Sequence, residues 1–419
     1  MKRTVRALLV MVGCAFAVTA QAESTTLTIA AARAVDQIVK AAVPVWKRLH
    51  PDIDIKIISR EYTEHHEAML DSFVAESSSV DVTTLEFDYI GLFAESGGLE
   101  DLSRAPYRAP LYRKKFVDYT FPLAMSSSGQ LIAVPTDIGP GTLVYRKDIV
   151  DKAEISESDL TDSWESFIES GKKIKAVTGV YLLSHARNIK DIVIRSNLAN
   201  GEGIYFDKNK KVIVDRPRFV RAFTLAKAVR DAKLDMKLNT WSREWADSVK
   251  HGAVATQTMG AWIGGHLASY APTTKGLWRA TNLPNGAYAF WGGTFYGIPK
   301  KSKNKELAWE FIQFMTLNKT MQLNAFKSLD VFPALLEAHI DPFFDQPVEF
   351  FGGQKVRVIW RDAARRIPSI DINKYDLVAT GIVNVELDKV LDEGKDIKTA
   401  LADAKVQIES YIRNSVLPP

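Results

Sequence analysis

Two tryptophans stand beside glycine pairs: Trp262 in MGAWIGG (259–265) and Trp291 in WGGTFYGIP (291–299). An indole offers a flat apolar face and a single N–H. Glycines such as Gly292 and Gly293 let backbone approach a ligand closely. Both segments follow strand-like sequence, where loops carry function. Trp262 and Trp291 are therefore candidate binding residues. Of the other tryptophans, Trp46 and Trp309 lie on apolar helix faces and are assigned to the core. Trp241, Trp245 and Trp360 with Arg361 are weaker binding candidates, read first as packing residues.

Motifs for covalent chemistry are absent from the sequence. No nucleophile elbow or phosphate loop occurs, and GEGIYF (201–206) and GPGTLV (139–144) lack the third glycine of a dinucleotide fingerprint. EHHE (64–67) raises a metal-site reading. His65 and His66 are adjacent, so helical geometry turns them to different faces. A solvated helix start, with no metal, is the expectation. A carboxylate pair for glycoside hydrolysis stays open, because such partners can be far apart in the chain; no motif supports one.

The positioning elements alternate. TLTIAA (26–31) is a strand, followed by Val35, Ile38, Val39, Ala42, Val45, Trp46 and Leu49 at helical spacing. His50-Pro51 ends that helix, because the residue before proline avoids helical dihedrals. IDIKIIS (53–59) alternates as a strand, 64–77 is a helix, VDVTTLE (80–86) a strand and 87–96 a helix. This order calls for a parallel sheet covered by helices. Ligands of open α/β sheets bind at the carboxyl ends of strands. Arg33 there follows the first strand, Glu86 and Asp88 the third, and Asp137 precedes the next strand, GTLVYR (141–146). Carboxylates and guanidinium groups at such ends are hydrogen-bonding candidates. Further on, Ser163 is an expected helix cap, AVATQTMGAWIGG (253–265) a strand entering a turn, and GGTFYGIP a strand followed by a helix from Lys305 capped by Asn304 or Ser302.

The N-terminus reads as a secretory signal peptide over 1–22. Lys2, Arg3 and Arg6 precede an apolar run, and Ala20-Gln21-Ala22 is a small-x-small cleavage site. Cys14 falls inside the apolar run, which continues past it, so it is read as an ordinary signal residue and not a lipid anchor. Cleavage leaves 397 residues with no cysteine, which suits a bacterial periplasm. The whole chain has 54 Lys and Arg against 50 Asp and Glu; without the signal the counts are 51 and 50. Near-neutrality leaves nucleic acid little to bind. The length calls for two lobes.

Six segments together resemble the extracellular solute-binding proteins of ABC importers, the family that includes maltose-binding protein. They are LTIAAARAVDQIVKAAVPVWKRLHPDIDIKI, VDVTTLEFDYIGLFAESGGLEDL, GTLVYRKDIVDKA, MGAWIGG, WGGTFYGIPKKSKNKELAWEFIQFM and DIKTALADAKVQIESYI. Their spacing is similar to the lactose- and arabinose-type sugar binders. The resemblance implies an α/β fold of two lobes, each a mainly parallel sheet flanked by helices. It implies lobe 1 from 23–136 plus 290–330 and lobe 2 from 137–289 plus 331–419. It further implies a periplasmic monomer that captures a carbohydrate by lobe closure and delivers it to an inner-membrane ABC permease. No enzymatic activity and no cofactor are expected. Sugars have apolar C–H faces and polar rims, so Trp262 and Trp291 would stack on the ligand from two sides beside Arg33, Glu86, Asp88 and Asp137. Open alternatives are a polyol or sugar phosphate as ligand, or a secreted carbohydrate-active enzyme. Mass spectrometry of exported protein should find Glu23 as the first residue; a diacylated Cys14 would contradict this processing.

Overall fold

The computed structural model describes residues 25–75 and 79–415. The signal peptide, its cleavage site and Cys14 lie outside these residues. Ten strands occur among them. β1 is Thr25–Ala32, β2 Ile53–Arg60, β3 Val82–Glu86, β4 Val134–Pro135 and β5 Gly141–Arg146. β6 is Glu202–Gly203, β7 Thr256–Gly260, β8 Trp278–Thr281, β9 Thr294–Gly297 and β10 Ile370–Asp371. Three N-terminal helices matter most for the site: α1 (Val35–Leu49), α2 (Tyr62–Val74) and α3 (Phe87–Glu95).

The first sheet has the order β2-β1-β3-β9-β4. β1 pairs in parallel with β2 and β3, whereas β9 runs against both β3 and β4. The second sheet has the order β7-β5-β8, and β5 runs against both neighbours. Parallel bridges Tyr181↔Val254 and Leu183↔Asp235 extend it beyond β7. Each sheet is thus mainly parallel in direction with one reversed strand. Those reversed strands, β5 and β9, are the first elements the chain forms after passing between the sheets.

Burial explains the sheet order. α1 turns Ile38, Val39, Ala42 and Trp46 to the interior, where Trp46 meets Phe311 and Phe314 edge-on. Burying an aliphatic or phenyl side chain contributes about 1.5–3 kcal/mol. Phe311 and Phe314 belong to the helix Lys305–Thr316, which follows β9 and so returns to cover the first sheet. Ser302 and Asn304 do not cap that helix through its N-terminal amides as expected. Ser302 Oγ donates to Asp81 Oδ1 at 2.7 Å, and Asn304 Nδ2 reaches Asp81 Oδ2 at 3.2 Å and the Thr26 carbonyl at 3.3 Å. Tertiary pairing to the sheet has displaced local capping.

Three segments pass between the sheets side by side. Gly139 N–H donates to the Gly292 carbonyl at 3.0 Å, and Trp291 N–H donates to the Gly139 carbonyl at 2.8 Å. Ile138 N–H donates to Phe332 at 2.9 Å, and Ala334 N–H donates to Thr136 at 3.1 Å. The third segment leads from the helix Lys319–Leu329, which packs on α1, to the helix Val356–Ala364, which packs on β5 and β8. Close approach requires glycine here. A Cβ on Gly139 would lie 1.8 Å from the Trp291 carbonyl oxygen and 2.7 Å from Trp262 Nε1. The backbone must move to admit it. Gly139→Ala should therefore cost about 1–3 kcal/mol or more, read as a lower urea midpoint; an unchanged midpoint would show that these strands adjust freely.

Candidate functional site

The site is built where β3 ends against the crossing strands. Phe87 N–H donates to the Gly293 carbonyl at 3.0 Å, tying the start of α3 to the return strand. Glu86 faces Thr294 in the β3–β9 register. Phe87 meets Phe290 edge-on at 4.2 Å, and Tyr119 meets Phe290 at 5.4 Å. From the second sheet's side, Arg195 lays its guanidinium 5.6 Å from the Phe87 ring and 5.0 Å from the Trp291 ring. That places one cation between two aromatic faces.

Polar atoms collect in the same place. Among the described residues, Glu86 Oε1, the Tyr119 and Tyr296 hydroxyls, Arg195 Nε and Asp376 Oδ1 are buried without a hydrogen-bond partner, while Glu86 Oε2 lies against His66 Nε2. A buried unpaired polar group costs about 1–3 kcal/mol. A cluster of them marks a place where protein folding is not the only demand on the sequence. Burial pushes the Asp137 carboxyl up to about 7; a hydrogen bond to Thr294 partly offsets this, and nearby Glu86 adds to it. Burial likewise pushes Asp376 up to about 7, opposed by the Asn373 backbone N–H and by Arg195. Burial, reinforced by Asp137, raises the Tyr119 hydroxyl well above its ordinary value.

The candidate residues separate into two groups. Glu86, Asp137, Trp291, Gly292, Gly293 and Trp262 come together at the crossing. Gly292 and Gly293 have φ of 84° and 150°, and a Cβ on Gly293 would lie 2.7 Å from the Asp137 carbonyl oxygen. Arg33 and Asp88 stand apart. Arg33 pairs with Glu61 at 2.7 Å with 67% of its side chain exposed, and exposed Asp88 accepts from Tyr62 at 3.3 Å.

Trp262 and Trp291 are linked and half-buried. The Trp262 indole N–H donates to the Trp291 carbonyl at 3.0 Å. The space for that indole exists because Gly139 and Gly260 lack a Cβ; one on Gly260 would lie 2.4 Å from Trp262 Nε1. The expected turn follows β7 at Ala261–Trp262 and leads directly into the helix Ile263–Tyr270, with Trp262 at its N-cap. Trp262 continues an aromatic surface through Trp241 at 5.6 Å and His266 at 5.8 Å. Trp241 is 48% exposed, whereas Trp245 and Trp360 are buried. Arg195, Tyr119, Tyr296 and Asp376 were not singled out from sequence as binding residues, and Trp241 only as a weaker candidate. The backbone at Trp241 has a positive φ of 74°, uncommon for a bulky residue.

The expected solvated start of α2 is overturned. His65 and His66 are both fully buried, with ring centroids 5.0 Å apart. His66 stacks on Tyr89 at 4.0 Å, and Tyr62 closes against both rings. One helical step separates the two residues by about 100°, which still allows both to sit within a broad apolar face.

The raised Asp137 and Asp376 values have a definite sign. Each group binds its proton more tightly folded than unfolded, so its contribution is present below about pH 4 and lost as pH rises through about 7. Thermal unfolding without ligand should show wild type losing more stability from pH 5 to 8 than Asp137→Asn or Asp376→Asn. Equal losses in all three proteins would remove these carboxyls from the account.

Comparison with known proteins places this geometry. The model of the bacterial extracellular solute-binding protein family matches residues 41–352. The arabinooligosaccharide-binding protein of Bacillus subtilis (strain 168) is 27% identical over 287 residues, covering 65% of this chain and 64% of that protein. The lactose-binding protein of Rhizobium radiobacter is 27% identical over 271 residues, covering 61% of this chain and 63% of that one. The chain thus matches just under two thirds of the length of these two relatives. A crystal structure of an extracellular solute-binding protein family 1 member superposes with a TM-score of 0.80 at 22% identity, covering 93% of this chain and 100% of that one. The fold is that of the two-lobed periplasmic binding proteins. With its crossing strands and its matched span in agreement, the chain belongs to the bacterial extracellular solute-binding protein family.

Proposed function

We propose that this chain captures a carbohydrate, a di- or oligosaccharide, between two lobes and delivers it to an inner-membrane ABC permease. Lobe 1 is 23–136 plus 290–330, and lobe 2 is 137–289 plus 331–419. The observation that carries the reading is the mixed surface at the crossing. Flat rings of Trp291, Trp262, Trp241 and Phe87 lie near buried polar atoms, Glu86 Oε1, the Tyr119 and Tyr296 hydroxyls, Arg195 Nε and Asp376 Oδ1, that have no hydrogen-bond partner among the described residues. Pyranose and furanose rings need both features: apolar C–H faces against aromatic planes, and hydroxyls paired with fixed donors and acceptors.

The charge balance supports a neutral ligand. Arg195 brings a guanidinium to the crossing, whereas a sugar phosphate would call for clustered cations. Relatives named for arabino-oligosaccharides and lactose support the same class. Closure is driven by the ligand only insofar as it binds the closed form better than the open one. The mechanism needs no bond making or breaking, in keeping with a family of binding proteins. A periplasmic location, with the protein acting as a monomer, completes the reading.

A thermal-shift panel of arabino-oligosaccharides, β-galactosides, polyols and sugar phosphates tests the class. A cognate sugar at 100 times its dissociation constant adds about 2.7 kcal/mol of stability. Calorimetry with that sugar should show Trp291→Ala weakening binding roughly 30- to 1,000-fold, the range for loss of a buried aromatic anchor. The sugar should be recovered intact. Unchanged affinity in Trp291→Ala would dismiss the stacking surface, and cleaved sugar would favour the enzyme reading.

A further inference from the structure

We propose that His65, His66 and Glu86 form a binding site for a divalent transition-metal ion of the zinc type, at the junction of α2 and the end of β3. A coordinating atom from each residue lies within 4.8 Å of those of the other two, and all three residues are buried. This inference goes beyond sugar capture and does not rest on it.

The hydrogen bonds prepare both rings. His65 Nε2 lies 2.9 Å from the Thr84 carbonyl, and His66 Nδ1 lies 2.7 Å from the Tyr62 carbonyl. A carbonyl only accepts, so each of these nitrogens carries the proton. A lone pair is left on the other nitrogen of each neutral ring. Metal-ligating histidines are held in this way, with the second ring nitrogen donating to a backbone carbonyl or carboxylate. His65 Nδ1 is buried and has no partner among the described residues. His66 Nε2 receives the Glu86 N–H at 3.2 Å and abuts Glu86 Oε2.

That last contact sets two acceptors against each other. A metal ion placed between them would be ligated by both. Two imidazoles and one carboxylate are a familiar zinc set, with an open fourth position. Tetrahedral bonds of about 2.0–2.1 Å separate ligand atoms by roughly 3.3 Å. An ion would therefore widen the His66–Glu86 contact and draw the longer edges inward, through side-chain rotation. The stack of His66 on Tyr89 and the helix holding both histidines limit other motions. The bound ion would fasten the first turns of α2 to β3 and neutralise Glu86 beside Asp137.

The test uses tag-free full-length protein washed with a chelator. Zinc titration by calorimetry should show one site. Glu86→Gln and His66→Asn, checked for folding by circular dichroism, should bind zinc at least about tenfold more weakly. Cobalt on wild-type protein provides a second readout: a tetrahedral visible band should develop and be displaced by zinc. No zinc uptake by wild type, or full uptake by both variants, would overturn the site.

Discussion

The structure depends on one backbone contact, the pairing of Gly139 with Trp291 and Gly292 in the passage between the sheets. Both hydrogen bonds of that pair need the strands in van der Waals contact, and no side chain larger than hydrogen fits at 139. The Trp262 indole occupies the adjoining space and donates to the same Trp291 carbonyl. A second-sheet side chain is thereby fixed to the return strand. The third strand, through Ile138–Phe332 and Thr136–Ala334, makes the passage a small sheet of its own.

The site follows from that constraint. Because β9 must leave the passage beside β3, Thr294 faces Glu86 and Phe87 bonds to Gly293. The end of β3 and the crossing strands then form one wall. Arg195 comes from the opposite sheet's helices and lies over Phe87 and Trp291, so it touches both the first lobe and the passage. Buried carboxyls at Asp137 and Asp376 keep their protons to nearly neutral pH there. They are suited to donate as well as accept, which a hydroxyl-rich ligand can use.

Much of the fold was legible because local signals agreed with tertiary ones. α1 begins at Val35 and ends before His50-Pro51, and β1, β2 and β5 fall where alternation and apolar runs put them. The glycines at 292 and 293 signalled a close backbone approach, and the structure places one there, against Gly139 and Asp137. Where tertiary contacts overrode local chemistry, the reading failed. Asn304 holds the N-cap position, but its side chain turns to Asp81 instead of the helix amides, and the turn at Ala261–Trp262 leads into a helix the sequence did not announce. His65 and His66 read as polar and solvated, yet the end of β3 supplies them with carbonyl, amide and carboxylate partners. Arg195 and Asp376 come from helices distant in sequence, with no motif around them. Only the folded chain brings them to the crossing.

Small-angle X-ray scattering with and without saturating cognate sugar tests the central claim, that the two lobes close on a carbohydrate about the Gly139–Trp291 passage. The account predicts a smaller radius of gyration in the sugar-bound protein, with the free protein's scattering fitted by a more open arrangement of the same two lobes. Identical scattering in both states, at a sugar concentration where calorimetry shows the site filled, would contradict closure about this hinge.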